Sequence, residues 1–246
     1  MMATQGSGRR SMLGAIVGGA VLVAAIVAIV VSSLLAQQPP SQTATPDETE
    51  PAGGTASVTA TPEGAVVDPD AAQQGWTPEP ITTDPEVYIR AALETASTFD
   101  TQASSREEWL AYLDTWFTPD TRYNDPVDQD AALRASRTEM RQGVVLPAEE
   151  WESLAREDGR VVATTGGAVT FVPVSQDPSG DMLIGTADVT LTFTRSDGSG
   201  GETSYEEQVR VSVQVLCGPG SVPTPDTAQL AGDCKVVRYF TEPMEP

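Results

Sequence analysis

Thr186-Ala187-Asp188-Val189-Thr190-Leu191-Thr192-Phe193-Thr194 decides the fold of this chain. Ala187, Val189, Leu191 and Phe193 alternate with Asp188, Thr190, Thr192 and Thr194. One face is therefore apolar and the other polar, the pattern of a half-buried antiparallel strand. Residues 196–201, SDGSGG, read as a turn, and Val209, Val211, Val213 and Val215 alternate on a returning strand over 208–217. Residues 160–174 read as a strand interrupted at Gly166 and Gly167. Residues 234–241, rich in Val, Tyr and Phe, close the set.

Upstream, the apolar period is 3.6 rather than 2. Asp84-Pro85-Glu86 opens a helix with an N-cap residue, a proline at the first helical position and an acid near the positive end of the dipole. Val87, Ala91, Ala92, Ala96 and Phe99 then mark its expected buried face. Ser105 and Glu108 fit a capping box for a second helix. Its stripe of Trp109, Leu110, Leu113, Trp116 and Phe117 ends at Thr118-Pro119-Asp120. A third helix is predicted over 128–141 and a short fourth over 147–155, carrying Trp151. Tryptophans at helical spacing are core residues more often than a ligand platform. Helices followed by a meander of strands predict an α+β domain over residues 84–246, with N-terminal helices packed on a curved antiparallel sheet.

Before that domain the composition shifts twice. Residues 37–83 are Pro, Thr, Ala, Gly and acids, with no Lys or Arg and almost nothing large and apolar except Trp76. Such a tract buries too little surface to offset the entropy of ordering, and it is predicted to be a disordered linker whose X-Pro pairs favour extended conformations. Residues 12–36, MLGAIVGGAVLVAAIVAIVVSSLLA, carry no charge and follow Arg9 and Arg10. That length spans a bilayer and exceeds a signal-peptide core of roughly 7–15 residues, so a retained single-pass transmembrane helix is expected rather than a cleaved leader. The arginines place the tail 1–11 in the cytoplasm and the domain outside the cell membrane. Gly14 and Gly18 form a GxxxG, a spacing that permits helix dimerisation and also arises by chance in an Ala/Gly-rich span. Cys217 and Cys234, the only two cysteines, bracket a Pro/Gly-rich loop in an oxidising compartment, and a disulfide is expected.

Composition narrows the functional classes. The 246-residue chain has 35 acids against 14 bases, a formal charge of −21, which disfavours a nucleic-acid surface. There is no histidine, which removes the commonest general base and metal ligand. Lys235 is the only lysine and Asn124 the only asparagine; the bias is that of a high-GC bacterial genome such as an actinobacterium. Carboxylates cluster at Asp125, Asp128 and Asp130 and at Glu149, Glu150 and Glu152, on loops and helix ends where solvated surface is the expected role. No phosphate loop, zinc spacing or nucleophile elbow is present. No catalytic residue, metal ligand or cofactor is expected.

The pattern resembles the nuclear-transport-factor-two-like (cystatin-like) fold, in which N-terminal helices lie across a bent sheet and form a cone. The residues that carry the resemblance are Trp109, Leu113 and Trp116-Phe117-Thr118-Pro119, then the strands 186–194, 208–217 and 234–240. A single-pass anchor joined to such a domain is similar to the bitopic scaffold subunits of type IV secretion and conjugation machines. It is also similar to the anchored accessory proteins of actinobacterial lipid-uptake systems. The first resemblance implies a non-catalytic module that contacts other envelope proteins, self-association included. The second implies a small-molecule or lipid pocket in the cone, lined by Trp109, Leu113, Trp116, Phe117, Val211 and Val213. Enzymes of this fold usually place His, Asp or Tyr at the mouth, and this chain has no His to offer.

Overall fold

A computed structural model describes residues 64–244, and within them the expected order of helices before strands is what the chain adopts. Four helices precede most of the sheet: α1 (Pro85–Thr95), α2 (Arg106–Thr115), α3 (Pro126–Gly143) and α4 (Ala148–Ala155). The strands are β1 (Phe99–Asp100), β2 (Arg160–Pro173), β3 (Met182–Ser196), β4 (Glu202–Leu216) and β5 (Lys235–Phe240). They form one five-stranded antiparallel sheet in sequence order, β1-β2-β3-β4-β5. The expected membrane helix over 12–36, Gly14 and Gly18 included, lies outside the described residues. Among the described residues no helix is long and apolar enough to cross a membrane.

Local chemistry places the helix starts. Asp84 accepts hydrogen bonds from the amides of Glu86 and Val87, with Pro85 at the first position. Ser105 and Glu108 form the full capping box. The third helix starts earlier than expected because Asp125-Pro126 repeats the Asp-Pro start, Asp125 capping the amide of Val127 at 2.8 Å. The expected buried face of α1 is corrected at Val87, which is 49% exposed. Of the expected positions the helix buries Ala92, and beside it Tyr88, Ile89 and Leu93. Ile89 lies directly over Gly185 of β3, where a Cβ would come within 2.6 Å of it, so glycine there lets helix and sheet touch.

The β3–β4 hairpin is longer than its sequence signal. Pairing runs from Met182↔Leu216 to Ser196↔Glu202 without a register shift. Asp197 closes the turn by accepting from the amides of Ser199 and Gly201. The expected interruption of β2 appears as a bulge between Gly166 and Thr170. Most apolar residues of β2 to β5 and the inner faces of the helices share one core, from Tyr88 and Trp109 to Val236 and Tyr239, while Met182, Leu216 and Val237 form a smaller second cluster.

The expected boundary at Asp84 is corrected. Residues 64–83 are built into the domain as a strap. Val66 bridges Pro80, the amide of Val67 donates to Glu79 O, and Ala71–Gln74 form a 3-10 turn ended by Gly75 at φ 77°. Trp76 stacks on Tyr112 of α2 at 4.8 Å and donates through Nε1 to Ser104 Oγ. Composition predicts no packing here because only Trp76 and Ile81 are large and apolar. The strap is held chiefly by hydrogen bonds that the sequence does not advertise.

Candidate interaction surface

The candidate pocket residues turn out to be largely core. Trp109, Leu113, Trp116 and Val213 are fully buried, Phe117 is buried, and Val211 is half-buried. Trp109 packs on Phe99 and Trp151, while Trp116 packs on Tyr88 and Tyr112, with ring centroids 4.8–6.1 Å apart. These contacts fill the space between helices and sheet that the lipid-pocket expectation assigned to a ligand. The expected disulfide joins Cys217 to Cys234. The clustered carboxylates serve helix ends: Asp125 caps α3, Asp128 lies in its first turn, and Glu149 and Glu150 lie in the first turn of α4.

One constellation was missed. The only lysine, Lys235, is 1% exposed at the start of β5 and donates to Glu79 Oε1 at 2.7 Å, Thr115 O at 2.7 Å and Thr224 Oγ1 at 2.8 Å. All three ammonium donors therefore have acceptors. Glu79, fully buried on the strap, also receives Tyr88 Oη at 2.6 Å and Gln229 Nε2 at 3.1 Å. Its amide donates to Tyr112 Oη, which in turn donates to Thr77 O. Burial pushes the Glu79 carboxyl up and holds Lys235 down, and the attraction between them opposes both shifts. The Tyr88 hydroxyl is raised far above its ordinary value, by burial and then by Glu79, and it stays a donor. The cluster clips strap, α1, α2, β5 and the disulfide loop together. The signal that could have found it was the lone lysine in an acidic chain.

At this end the sheet edge is closed. Residues 116–118 run beside β5, with the amide of Val236 donating to Trp116 O and that of Thr118 to Val236 O. The β2 edge is blunted by α1 and the turn that follows it: Ala163 N donates to Thr98 Oγ1, Thr165 N to Glu94 Oε1, and Arg90 Nη2 to Gly167 O. Beyond them come the bulge and Pro173, both edge-breaking devices.

β4 differs. Its pairing with β5 starts only at Ser212, so residues 202–211 have β3 on one side and, among the described residues, no strand on the other. No proline and no bulge interrupt this stretch. Tyr205, Glu207, Val209 and Val211 face the helix side of the sheet with Val213; Ser204, Glu206, Gln208 and Arg210 face away.

Two cavities open on the helix face of the sheet, and the second of them reaches β4. One, about 260 Å³, is walled by Phe99, Val145, Leu146, Val161, Leu191 and Phe193 and has no ionisable side chain in its lining. The next, about 310 Å³, shares Leu146 and Phe193 and adds Glu150, Glu157, Arg195, Tyr205 and Glu207. Tyr205 stacks on Phe193 at 4.9 Å, and Arg195 lies over Tyr205 while pairing with Glu157 at 3.0 Å. A larger cleft of about 480 Å³ lies against α3 and β5, where Arg238 forks onto Glu139 and Arg122 onto Asp120. An apolar slot beside an acidic groove and an open strand edge suits a polypeptide segment better than it suits bond-making chemistry.

No family model matches the chain, and no curated protein matches it. Among solved structures, the chain is similar to an IcmL-like type IV secretion system protein of Legionella pneumophila. The identity is 11%, over 68% of this chain and 96% of that one, with a TM-score of 0.39. It is also similar to CagV, a VirB8 homolog of the Helicobacter pylori type IV secretion system, at 16% identity over 54% and 78% of the two chains, with a TM-score of 0.29. Both are type IV secretion proteins, the class named by the sequence resemblance. At these scores the likeness carries no weight in the functional argument, which rests on the residues above.

Proposed function

We propose that this chain is a single-pass, membrane-anchored envelope protein whose outer domain is a non-catalytic interaction module of a conjugation or secretion machine. The anchor is residues 12–36, the N-terminus is cytoplasmic, and residues 37–63 form the tether. The observation that carries the reading is the β4 edge over 202–211, which no strand among the described residues pairs, beside a groove whose charged groups are surface carboxylates and an arginine already paired. That arrangement offers backbone and side-chain contacts to another protein and offers no nucleophile with an adjacent base. The machine class follows the resemblance stated from the sequence pattern.

The test uses the full chain in its native membrane. The protein is expected to resist carbonate extraction, to show a C-terminal tag on intact cells, and to migrate in mild detergent within a complex larger than a monomer. Release into the medium, or a strict monomer in detergent, contradicts the reading. A second reading, a small-molecule or lipid carrier, draws on the uncharged 260 Å³ cavity. Native mass spectrometry of the full chain then shows a stoichiometric small ligand, lost in Leu191→Trp; ligand-free protein sinks it.

A further inference from the structure

We infer that the outer edge of β4, residues 202–211, accepts an added strand from a cationic partner segment. The inference rests on the interaction-module reading and names the chemistry of its partner. A strand edge carries a row of N–H and C=O groups, and long edges are normally covered, broken or given lysines. The β2 edge is treated in that way and the start of β5 is covered by residues 116–118, whereas residues 202–211 of β4 carry three glutamates and no lysine, and their single arginine, Arg210, is paired with Asp188 of β3. Glu206 and Glu207 are adjacent, so they stand on opposite faces of the sheet. A strand laid alongside therefore meets one acid on each face at neighbouring positions. On the helix side, Glu207 shares its groove with Glu150, while Val209 and Val211 continue the same face toward the core.

The complementary segment is thus extended, with two consecutive basic residues opposite Glu206 and Glu207 and β-branched residues in register with Val209 and Val211. Charge argues against a second copy of this chain, since each copy carries −21.

The experiment uses the full chain in detergent and a capped decapeptide of alternating Thr and Val with a central Lys-Arg pair. Binding is expected to weaken with salt, and a Glu-Asp version of the peptide is expected not to bind at the same concentration. N-methylation of alternate peptide bonds in one phase is expected to abolish binding and in the other phase to spare it, because only every second amide faces the edge. The double variant Glu206→Lys/Glu207→Lys is expected to lose about tenfold in affinity for the basic peptide, with unchanged circular dichroism. Equal binding of both peptides, tolerance of both methylation phases, or no binding overturns the assignment. So does a concentration-dependent dimer that the double variant dissolves, since that places a second copy on the edge. If the chain sits in a larger membrane complex while the peptide fails, the β4 assignment falls and the module reading stands. If the peptide binds as expected while the chain is a monomer in its membrane, the reverse holds.

Discussion

The two ends of the sheet treat polar groups in opposite ways. Around Lys235 a charged pair is taken fully out of water, and all three ammonium donors find acceptors. Along residues 202–211 of β4, no strand among the described residues pairs with the outer edge. The first arrangement holds distant parts of the chain together: strap, two helices, the disulfide loop and β5. The second contributes little to holding the domain and leaves hydrogen-bonding capacity for something else. On the proposed reading stability and interaction are separated in space, and substitutions at the two ends should behave differently.

The largest effect is expected at the closed end. Glu79→Ala leaves Lys235 buried without its counter-charge and should cost about 3–5 kcal/mol, read by urea unfolding followed through tryptophan fluorescence. Replacing both partners, Glu79→Leu with Lys235→Met, should recover most of that loss, because an apolar pair needs no compensation. Equal losses in the single and double variants would show that the neighbouring hydrogen bonds, rather than the ion pair, carry the effect.

Next in size, removing the disulfide with Cys217→Ala/Cys234→Ala should cost about 3 kcal/mol by freeing a loop with a sequence separation of 17. Tyr112→Phe should cost about 1–3 kcal/mol, since the buried amide of Glu79 loses its acceptor. At the open edge, Glu206→Lys should change stability by no more than about 0.5 kcal/mol. A loss there as large as that at Tyr112 would mean that the edge is structural after all.

The smallest effect concerns acid. Hydrogen bonds from Ser105 lower the Glu108 carboxyl, those from Ser199 and Gly201 lower Asp197, and Arg160 lowers Glu202. A carboxylate lowered on folding stabilises above its unfolded value, here 4.5 for the glutamates and 3.8 for Asp197, and that contribution is lost as pH falls through the folded value. Glu79, raised on folding, acts in the opposite sense: its contribution is present below 4.5 and is lost as pH rises through its folded value. The melting temperature should therefore fall modestly below about pH 4.5. It should fall less in Glu108→Gln/Asp197→Asn/Glu202→Gln, as measured by differential scanning calorimetry.

The same contrast explains what the sequence made legible. The Asp84-Pro85 start, the Ser105 and Glu108 box and the alternation around Leu191 are local signals, and each stands where the spacing puts it. The tryptophan stripe gave the core, and Trp109 and Trp116 are fully buried. The strap was illegible because its binding is long-range: Glu79 meets Lys235 across most of the domain's sequence, and no window of composition contains both. Val87 misled because a valine at helical spacing fits either of two neighbouring arcs, and only the cap at Asp84 selects one. The open edge was equally hidden. Alternation in β4 shows that it is a strand, while its lack of a neighbour over 202–211 depends on where β5 stops.

The measurement that tests this account most directly is site-specific photocrosslinking of the full chain in intact cells. Amine-reactive reagents have no purchase on the domain, since its only lysine is buried, so a photoreactive side chain is introduced instead. At Glu206 and Gln208 on the open edge it should yield covalent adducts with an envelope protein. At Ala72 and Gln73, exposed on the strap, it should yield none. Adducts from the strap positions, with none from β4, would contradict the division between a closed end and an interacting edge.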